Sequence, residues 1–357
     1  MKILYINTFD PYHEAHGGAV LARRELNILK SSFDVDVLFG TPIRARVGKV
    51  NWFGVLAAIF RRESLKVHLY SDIRRSEISY CEYDLIYCCH DFSAIDYEIF
   101  ERLQIPYIVR KLNVESNVLG KQFNLIPGER SRLRKFERKV CSLALAVMHV
   151  SYAEFLDDDY SSRKIWCLPP LLDSHAELNP ARQENKTIDV FMVSNFNWWP
   201  NKEGVNWFLQ KVWPLLSNRG YKAVIVGLGS TELKALEDVS YLGYVDDLEP
   251  LYSSAKVVIC PILSGAGIKM KVLEAVANGV PLVTTSIGLA GLEGLEVHSE
   301  IRIADTEQRF AEELIDLIEN ASEAEHGRGP LEWLESNMLE PKAWVSLVRQ
   351  LCIPKDA

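Results

Sequence analysis

Short apolar segments alternate with amphipathic segments along most of the chain. Runs of aliphatic and β-branched residues such as Lys2–Asn7 and Val35–Phe39 are bounded by polar or glycine-containing loops, which predicts buried strands. In Val20–Lys30 the apolar residues recur every three or four positions, which predicts a helix. The same criteria predict further strands at Leu85–Cys89, Tyr107–Arg110, Leu143–Val150, Asp189–Ser194, Lys222–Val226, Val257–Pro261 and Leu282–Thr284, and helices at Gly204–Leu216, Leu248–Ser253, Lys269–Asn278 and Gln308–Asn320.

This alternation predicts an α/β protein with parallel sheets covered by helices on both faces. The length of 357 residues is too great for one small core and suits two domains. The polar segment Asn179–Lys186 is the best candidate for the boundary between them. We therefore expect one Rossmann-like domain at 1–180, a second at 187–330, and a helical segment at 331–357 with a break at Pro341.

Composition excludes several classes of protein. With 48% hydrophobic and 25% charged residues the chain is ordinarily globular. Its longest apolar stretch, Trp52–Phe60, is too short to span a membrane, and the N-terminal residues lack the pattern of a signal peptide. The seven cysteines show no metal-binding spacing, so we expect no metal, no cofactor and a reducing cytoplasmic location.

Charge is unevenly distributed. Residues 1–165 contain 24 Lys and Arg against 21 Asp and Glu, whereas residues 166–357 contain 16 against 27. Within the basic half, Arg46–Val67 mixes aromatic with basic residues, and Arg130–Lys139 is strongly basic. Each segment fits either a helix lying on an anionic membrane surface or a core-facing helix with a solvated rim. The sequence leaves both interpretations open, and neither segment indicates nucleic-acid binding.

The most informative segment runs from Pro261 to Pro281. A predicted strand ends at Pro261, a glycine-containing loop follows, and a helix begins near Ile268. Backbone N–H groups in such a loop and at a helix start can bind an anion, and two lysines add full charges. A glutamate one turn later could accept hydrogen bonds from a ribose diol. This pattern predicts a nucleoside diphosphate site formed by Gly265, Gly267, Lys269, Lys271 and Glu274. The alternative is that the glycines only form a tight turn and the lysines are solvated.

The same string resembles the donor-site motif of the GT-B glycosyltransferases of family four. The resemblance continues through Gly279-Val-Pro281-Leu-Val-Thr284, and weaker similarity covers nearly the whole chain. It implies two Rossmann-like domains whose parallel sheets face each other across a cleft, with the C-terminal helix returning to the first domain. It also implies a retaining, metal-independent transfer from a UDP- or GDP-linked sugar to a glycan, lipid-linked or small-molecule acceptor, in polysaccharide or glycoconjugate biosynthesis.

The resemblance assigns roles to individual residues. Lys269 and Lys271 would stabilise the leaving diphosphate, and Asn113 and Glu115 of an Asn-x-Glu-Ser segment would face the reaction centre. His90 is a further catalytic candidate on its position alone, because it follows a predicted strand; a satisfied strand-end histidine fits that position equally well. The expected donor-binding residues are Gly17, Gly18, Asn195, Lys202, Gly227, Gly243, Gly265, Gly267 and Glu274.

Three departures from the family pattern keep other functions open. Ala266 replaces the first residue of a paired-glutamate motif, Leu112 occupies a frequent histidine position, and Asn195 stands near a phosphate-binding arginine position. A nucleotide-sugar epimerase of the same fold, or a degenerate nucleotide-binding partner subunit, would therefore also fit. Asp157–Asp159 has the spacing of a metal-binding motif but ends a helical pattern, which indicates a solvated acidic run.

Overall fold

The computed structural model describes residues 1–13, 17–40, 63–70, 78–117, 119, 125–168, 186–320 and 328–352. Two compact units divide the chain. The first unit comprises Met1–Pro170 and Leu339–Ala357, and the second comprises Leu171–Met338. The predicted boundary segment at 179–185 lies outside the described residues. The segment from 331 onward is divided between the units, with residues up to Met338 grouped in the second.

The first unit contains a parallel sheet of six strands in the order β2-β1-β3-β4-β5-β6. Each neighbouring pair is parallel, as in the register Ile3↔Leu85 between β1 and β3. The strands are β1 (Lys2–Asn7), β2 (Asp34–Phe39), β3 (Leu85–Cys89), β4 (Tyr107–Lys111), β5 (Ala146–His149) and β6 (Lys164–Trp166). The helices of its first segment are α1 (Gly17–Ser32), α2 (Leu65–Tyr70), α3 (Tyr97–Arg102), α4 (Glu129–Leu143) and α5 (Tyr152–Asp157).

Strands β3, β4 and β5 are buried along their whole length because apolar clusters cover both faces of the sheet. The described part of the second unit repeats this plan with the strand order β12-β11-β10-β7-β8-β9, again with parallel pairs. Its strands are β7 (Ile188–Val193), β8 (Ala223–Val226), β9 (Val239–Gly243), β10 (Ala255–Cys260), β11 (Leu282–Thr284) and β12 (Ile301–Ile303). Its helices are α6 (Trp199–Trp207), α7 (Glu249–Ser254), α8 (Met270–Ala277), α9 (Ser286–Leu289), α10 (Glu307–Glu319) and α11 (Gly329–Asn337).

The last helix, α12 (Pro341–Leu351), belongs to the first unit. Its Trp344 and Val348 are fully buried in the cluster that contains Tyr5 and Leu26. The Arg110 guanidinium lies 5.0 Å from the centre of the Trp344 ring. The predicted break at Pro341 is confirmed, because α11 ends at Asn337 and α12 begins at the proline.

The predicted helix at Gly204–Leu216 differs from the structure. The α-helix ends at Trp207, a π-helical turn covers Phe208–Val212, and a 3-10 turn covers Trp213–Leu215. Pro214 has no N–H to donate and its ring would clash with the preceding turn of an α-helix. The backbone therefore leaves the α-helical path before the proline. No helix among the described residues is long and apolar enough to cross a membrane.

Candidate functional site

In the second unit, the neighbouring strands β7 and β10 form a topological switch point, where the strand order reverses direction. The chain proceeds from β7 to β8 and β9 on one side of the sheet, then returns to β10 on the other side of β7. Open parallel sheets bind ligands at the carboxyl ends of the strands at such a switch point. Here these ends lead into Ser194, after β7, and into the Pro261–Ile268 loop, after β10.

Glycine lets two backbone segments approach closely at this edge. A Cβ added to Gly227 would lie 1.9 Å from the carbonyl oxygen of Ser194, and the φ angle of Gly227 is 125°. Any side chain would therefore force the loop after β8 away from the end of β7. The N–H of Gly227 donates to the carbonyl oxygen of Gly243 at 2.6 Å, so these two predicted donor-binding glycines are brought together.

The loop after β10 is open at its tip. Gly265 has a φ of 123°, which strongly favours glycine, and no atom lies within 4 Å of a Cβ built there. Gly267 follows, and Lys269 then occupies the N-cap of α8. The Lys269 ammonium donates to the carbonyl oxygen of Gly267 at 2.5 Å, which holds it against this loop.

Lys271 spans the switch point. Its ammonium donates to Ser194 Oγ at 2.9 Å and to Asn201 Oδ1 at 2.8 Å. Burial lowers its pKa, and charge interactions with Cys260 and Glu274 oppose that shift only in part. Within the part of the chain that the structure describes, no carboxylate forms an ion pair with Lys271. The arrangement holds a cation at the ends of β7 and β10 with neutral oxygen partners.

The remaining predicted donor-site residues of the second unit lie on the same edge or next to it. Glu274 is half-buried on α8, and its carboxylate accepts a hydrogen bond from the Tyr252 hydroxyl at 3.4 Å. Asn195 follows Ser194, and its Oδ1 accepts from the N–H of Asn197 at 3.0 Å. Lys202 is exposed on α6.

Sequence reasoning missed the part played by Asn201. Its Nδ2 donates to the carbonyl oxygen of Asn195 at 2.8 Å while its Oδ1 accepts from Lys271. This amide therefore connects the loop after β7 with the lysine of α8. Asn201 lies between Pro200 and the predicted site residue Lys202, and this adjacency in the sequence was the available signal.

In the first unit the corresponding switch point lies between β1 and β3. His90 follows β3 in a backbone conformation with a φ of 89° and a ψ of 147°. Such a conformation is rare for any residue except glycine and costs about 1–3 kcal/mol. It persists because the His90 side chain is held by specific partners, as strained residues at functional sites commonly are.

Both ring nitrogens of His90 are engaged. Nδ1 accepts from the N–H of Phe92 at 3.3 Å, and Nε2 lies 3.0 Å from Glu115 Oε1. A carboxylate can only accept, so in the neutral ring Nε2 carries the proton. Burial opposes the charged form of His90, but the hydrogen bond and charge of Glu115 outweigh burial and raise its pKa.

Glu115 is the centre of this cluster. Its second oxygen accepts a short hydrogen bond from the Lys66 ammonium. Burial opposes ionisation of Glu115, but its bonds and charge interactions with His90 and Lys66 lower its pKa to about 2. The loop that carries Glu115 is anchored by α4, because Arg130 donates to the Ser116 carbonyl oxygen at 2.6 Å and Glu137 accepts from the Ser116 N–H.

Lys66 lies inside one of the two segments with a possible membrane interpretation. In the structure its side chain is 7% exposed and bonded to Glu115, so Lys66 does not contribute to a lipid-facing surface. The other segment, Arg130–Lys139, lies within helix α4. This helix buries Leu133 and Val140 in the first unit and leaves most of its basic side chains exposed. The remaining aromatic and basic residues at 46–62 lie outside the described part.

Asn113, Gly17 and Gly18 have distinct surroundings. The Oδ1 atom of Asn113 is buried and has no hydrogen-bond partner. Gly17 and Gly18 are the first two residues of α1, and Gly17 is exposed. Leu112 packs against the apolar cluster of the first unit, so the position that often carries histidine contributes to the core here.

The acidic run at Asp157–Asp159 has a structural role. Asp158 Oδ2 lies 2.8 Å from His149 Nε2, and Asp158 Oδ1 accepts from the N–H of Ser161 at 3.0 Å. Arg138 pairs with Asp159 at 3.3 Å. Across the described ranges, no group of three or more His, Cys, Asp or Glu side chains is placed to hold a metal ion.

Comparisons with known proteins agree with this architecture. Residues 187–320 match the family model described as glycosyl transferases group 1. The chain is 25% identical to a 44.6 kDa protein in the cps region of Klebsiella pneumoniae, over 90% of this chain and 92% of that protein.

Solved structures share the fold at low sequence identity. Anabaena HepE in complex with UDP and glucose is 15% identical, with a TM-score of 0.63 over 98% of both chains. Sucrose-phosphate synthase from Thermosynechococcus elongatus is 14% identical, with a TM-score of 0.65 over 98% of this chain and 97% of that one. TarM is 14% identical, with a TM-score of 0.59, and the match covers 76% of this chain but 55% of TarM. Residues 187–320 of the second unit thus resemble group 1 glycosyltransferases, and the chain has the GT-B fold of these structures, with a six-stranded parallel sheet in each α/β unit.

Proposed function

We propose that the chain transfers a sugar, with retention of anomeric configuration and without a metal, from a UDP- or GDP-linked donor to a glycan, lipid-linked or small-molecule acceptor. The observation that carries this proposal is the cation of Lys271, held at the switch point by Ser194 and Asn201 and by no carboxylate ion pair among the described residues. Lys271 is half-buried, so its charge is partly desolvated, and an anionic ligand would supply a counter-ion.

The chemistry proposed for the second unit is electrostatic. Cleavage of the bond between the sugar and the nucleotide leaves negative charge on the diphosphate. The Lys271 ammonium, the start of α8 and the nearby Lys269 would stabilise that charge more strongly in the transition state than in the bound donor. Lys202 is exposed on the neighbouring helix and would add a further positive charge.

The rest of the donor would follow the same edge of the sheet. Glu274, one turn into α8, would accept hydrogen bonds from the ribose diol. The closely packed backbone at Gly227 and Gly243 would contact the base, and Asn195 would line the loop after β7. The open loop at Gly265 and Gly267 would admit the diphosphate. In the first unit, Gly17 and Gly18 at the start of α1 remain donor-binding candidates on the resemblance.

In the first unit we propose that Glu115 receives a sugar hydroxyl. Two of the acceptor positions of this ionised carboxylate are used by His90 and Lys66, and a carboxylate has about four. His90 would act by orienting Glu115, because both of its own ring nitrogens are engaged. Asn113, with its unpartnered Oδ1, would accept a second hydroxyl.

The pathway and location are also proposals. Similarity to a protein in a cps region supports a place in polysaccharide biosynthesis. The exposed basic side chains of α4 support weak docking on an anionic membrane surface from the cytoplasmic side. Co-sedimentation with anionic vesicles that is lost at high salt and absent with neutral vesicles is the expected result. Equal, negligible binding in all conditions would favour an acceptor away from the membrane.

A panel of nucleotide sugars tests the function. Ligand at about a hundred times its dissociation constant adds roughly 2.7 kcal/mol to the stability of the folded state, so the donor should give a clear thermal shift. Turnover of that donor with candidate acceptors should follow. Conversion of the donor into another nucleotide sugar without an acceptor would instead identify an epimerase. Binding without turnover unless a second protein is added would identify a partner subunit.

A further inference from the structure

The carboxylate of Glu115 is held by two buried groups from different parts of the first unit. His90, which follows β3, contacts Oε1, and Lys66 of α2 contacts Oε2. The three side chains are 13%, 10% and 7% exposed for Glu115, His90 and Lys66. Lys66 is the member of this cluster to which neither motif nor family resemblance assigns a role.

Lys66 is itself fixed on two sides. Its backbone N–H donates to Glu129 Oε1 at 2.9 Å, and Ser64 Oγ donates to the same oxygen at 2.6 Å. Its ammonium lies 5.7 Å from the centre of the Phe92 ring, which in turn lies 4.7 Å from the His90 ring. The position of the ammonium is thus set by α4 and by the turn after β3, and its bond to Glu115 follows from that position.

A fixed cation has a definite effect on Glu115. The Lys66 charge favours the ionised carboxylate against the cost of burial. An ionised carboxylate can only accept hydrogen bonds, so it keeps the proton of neutral His90 on Nε2 and leaves its unused lone pairs for hydroxyl donors. Without the cation, Glu115 would retain one partner and be free to turn away.

We propose that Lys66 is a positioning residue of the transferase, which holds Glu115 ionised and oriented to receive a sugar hydroxyl. This rests on the proposed function, in which Glu115 contacts the substrate. Lys66 acts through Glu115 and does not touch the reacting atoms. The conformational strain at His90 supports the assignment, because a strained backbone is retained where the side chain it presents is needed.

The test compares K66M, K66R, E115Q and the double variant K66M/E115Q, with K342M as the control. Lys342 is an exposed lysine of α12, and its loss should leave activity unchanged. Misplacement of a substrate-contacting group by about 1 Å can cost roughly a hundredfold in rate, so K66M should lower kcat/KM by about that factor. K66R should recover most of the loss, and K66M should add less than about a twofold loss in the E115Q background, because the two residues act as one unit.

An independent measurement uses the imidazole nitrogens of His90, identified by their disappearance in H90Q. The charged groups around His90 are Glu115, its neighbour Asp91, Lys111 of β4, and Lys66 through Glu115. Nitrogen-15 spectra should show a changed titration of His90 in K66M and a nearly unchanged one in K342M. This measurement does not need turnover, so it tests Lys66 even if no donor is used and the proposed function fails.

Two results would overturn the proposal. One is an unchanged His90 titration in K66M. The other is a K66M loss that is equally large in the wild-type and E115Q backgrounds, because Lys66 would then support the fold independently of Glu115. If K66M does not fold, the double variant K66M/E115Q decides the question, because it does not leave the Glu115 charge without Lys66. Activity equal to that of E115Q supports the proposal. A further large loss overturns it.

Discussion

Replacement of Lys271 by methionine separates catalysis from folding. Methionine keeps a similar side-chain length and removes the charge that lies between Ser194 and Asn201. Removing one fixed electrostatic group from an active site lowers kcat by roughly a hundred- to a thousandfold. We expect K271M to lose kcat/KM for the nucleotide sugar within that range. K271R, which retains the charge but not the compact ammonium, should lose less.

The stability of K271M should change little. Burial lowers the pKa of Lys271 in the folded state below its ordinary value of 10.5. The folded protein therefore binds this proton less tightly than the unfolded chain does. The resulting cost to folding is fully present below the folded pKa and disappears above 10.5. K271M removes that cost but leaves Ser194 and Asn201 without a donor. Both are half-buried and open to water, so we expect the free energy of unfolding to change by less than about 1 kcal/mol.

The assay combines donor kinetics with two binding measurements. Calorimetry with the free nucleoside should give similar affinities for K271M and the wild type, whereas affinity for the nucleoside diphosphate should fall. Equal loss of affinity for both ligands would show that Lys271 only supports the shape of the site. Unchanged kcat/KM in K271M would refute the assignment of the diphosphate to the switch point.

Four further changes have defined outcomes. E274Q should weaken donor use by the equivalent of about 1.5–3 kcal/mol, the usual value of a hydrogen bond to a charged group. Y252F, which removes only the Tyr252 bond to Glu274, should have a much smaller effect on the same kinetics. Activity should persist in excess EDTA, and abolition with rescue by manganese would contradict the metal-independent mechanism. Burial raises the pKa of Glu154 from 4.5 to about 7, so the folded protein binds the Glu154 proton more tightly than the unfolded chain does. The protonated carboxyl therefore favours the folded state at low pH, and that stabilisation is lost as the pH rises from 4.5 through 7. The fall in melting temperature from pH 5 to pH 8 should therefore be smaller in E154Q, and an identical fall in both proteins would contradict the shift.

The sequence pattern predicted the sheets better than the connections between them. Strands such as Leu85–Cys89 and Leu282–Thr284 have the predicted bounds, because a short buried run is a local signal. The short strands Lys164–Trp166 and Ile301–Ile303 were not predicted from periodicity. They lie at sheet edges and are only partly buried, so their apolar pattern is weak. The π-helical turn before Pro214 was missed because a helical period does not show how the backbone relieves a clash.

The site residues divide in the same way. The glycines and lysines of the loop after β10 could be proposed as site residues because their spacing is contained in one segment. Asn201 and Lys66 were missed because their partners are remote: Lys271 lies 70 residues from Asn201, and Glu115 lies 49 residues from Lys66. Lys66 had two possible interpretations, and only the fold places it against Glu115.

The buried cations of the first unit and the half-buried Lys271 of the second unit have different partners. In the first unit Arg110 pairs with Glu25, Lys111 with Asp91 and Lys66 with Glu115. Each of these charges is balanced by a carboxylate of the same unit, as buried charges must be to limit the cost of desolvation. Lys271 in the second unit has neutral oxygen partners and forms no ion pair with a carboxylate of the described residues. A diphosphate at the end of β7 would supply a counter-charge that no described carboxylate provides through an ion pair, and for that reason we propose that the leaving group lies there.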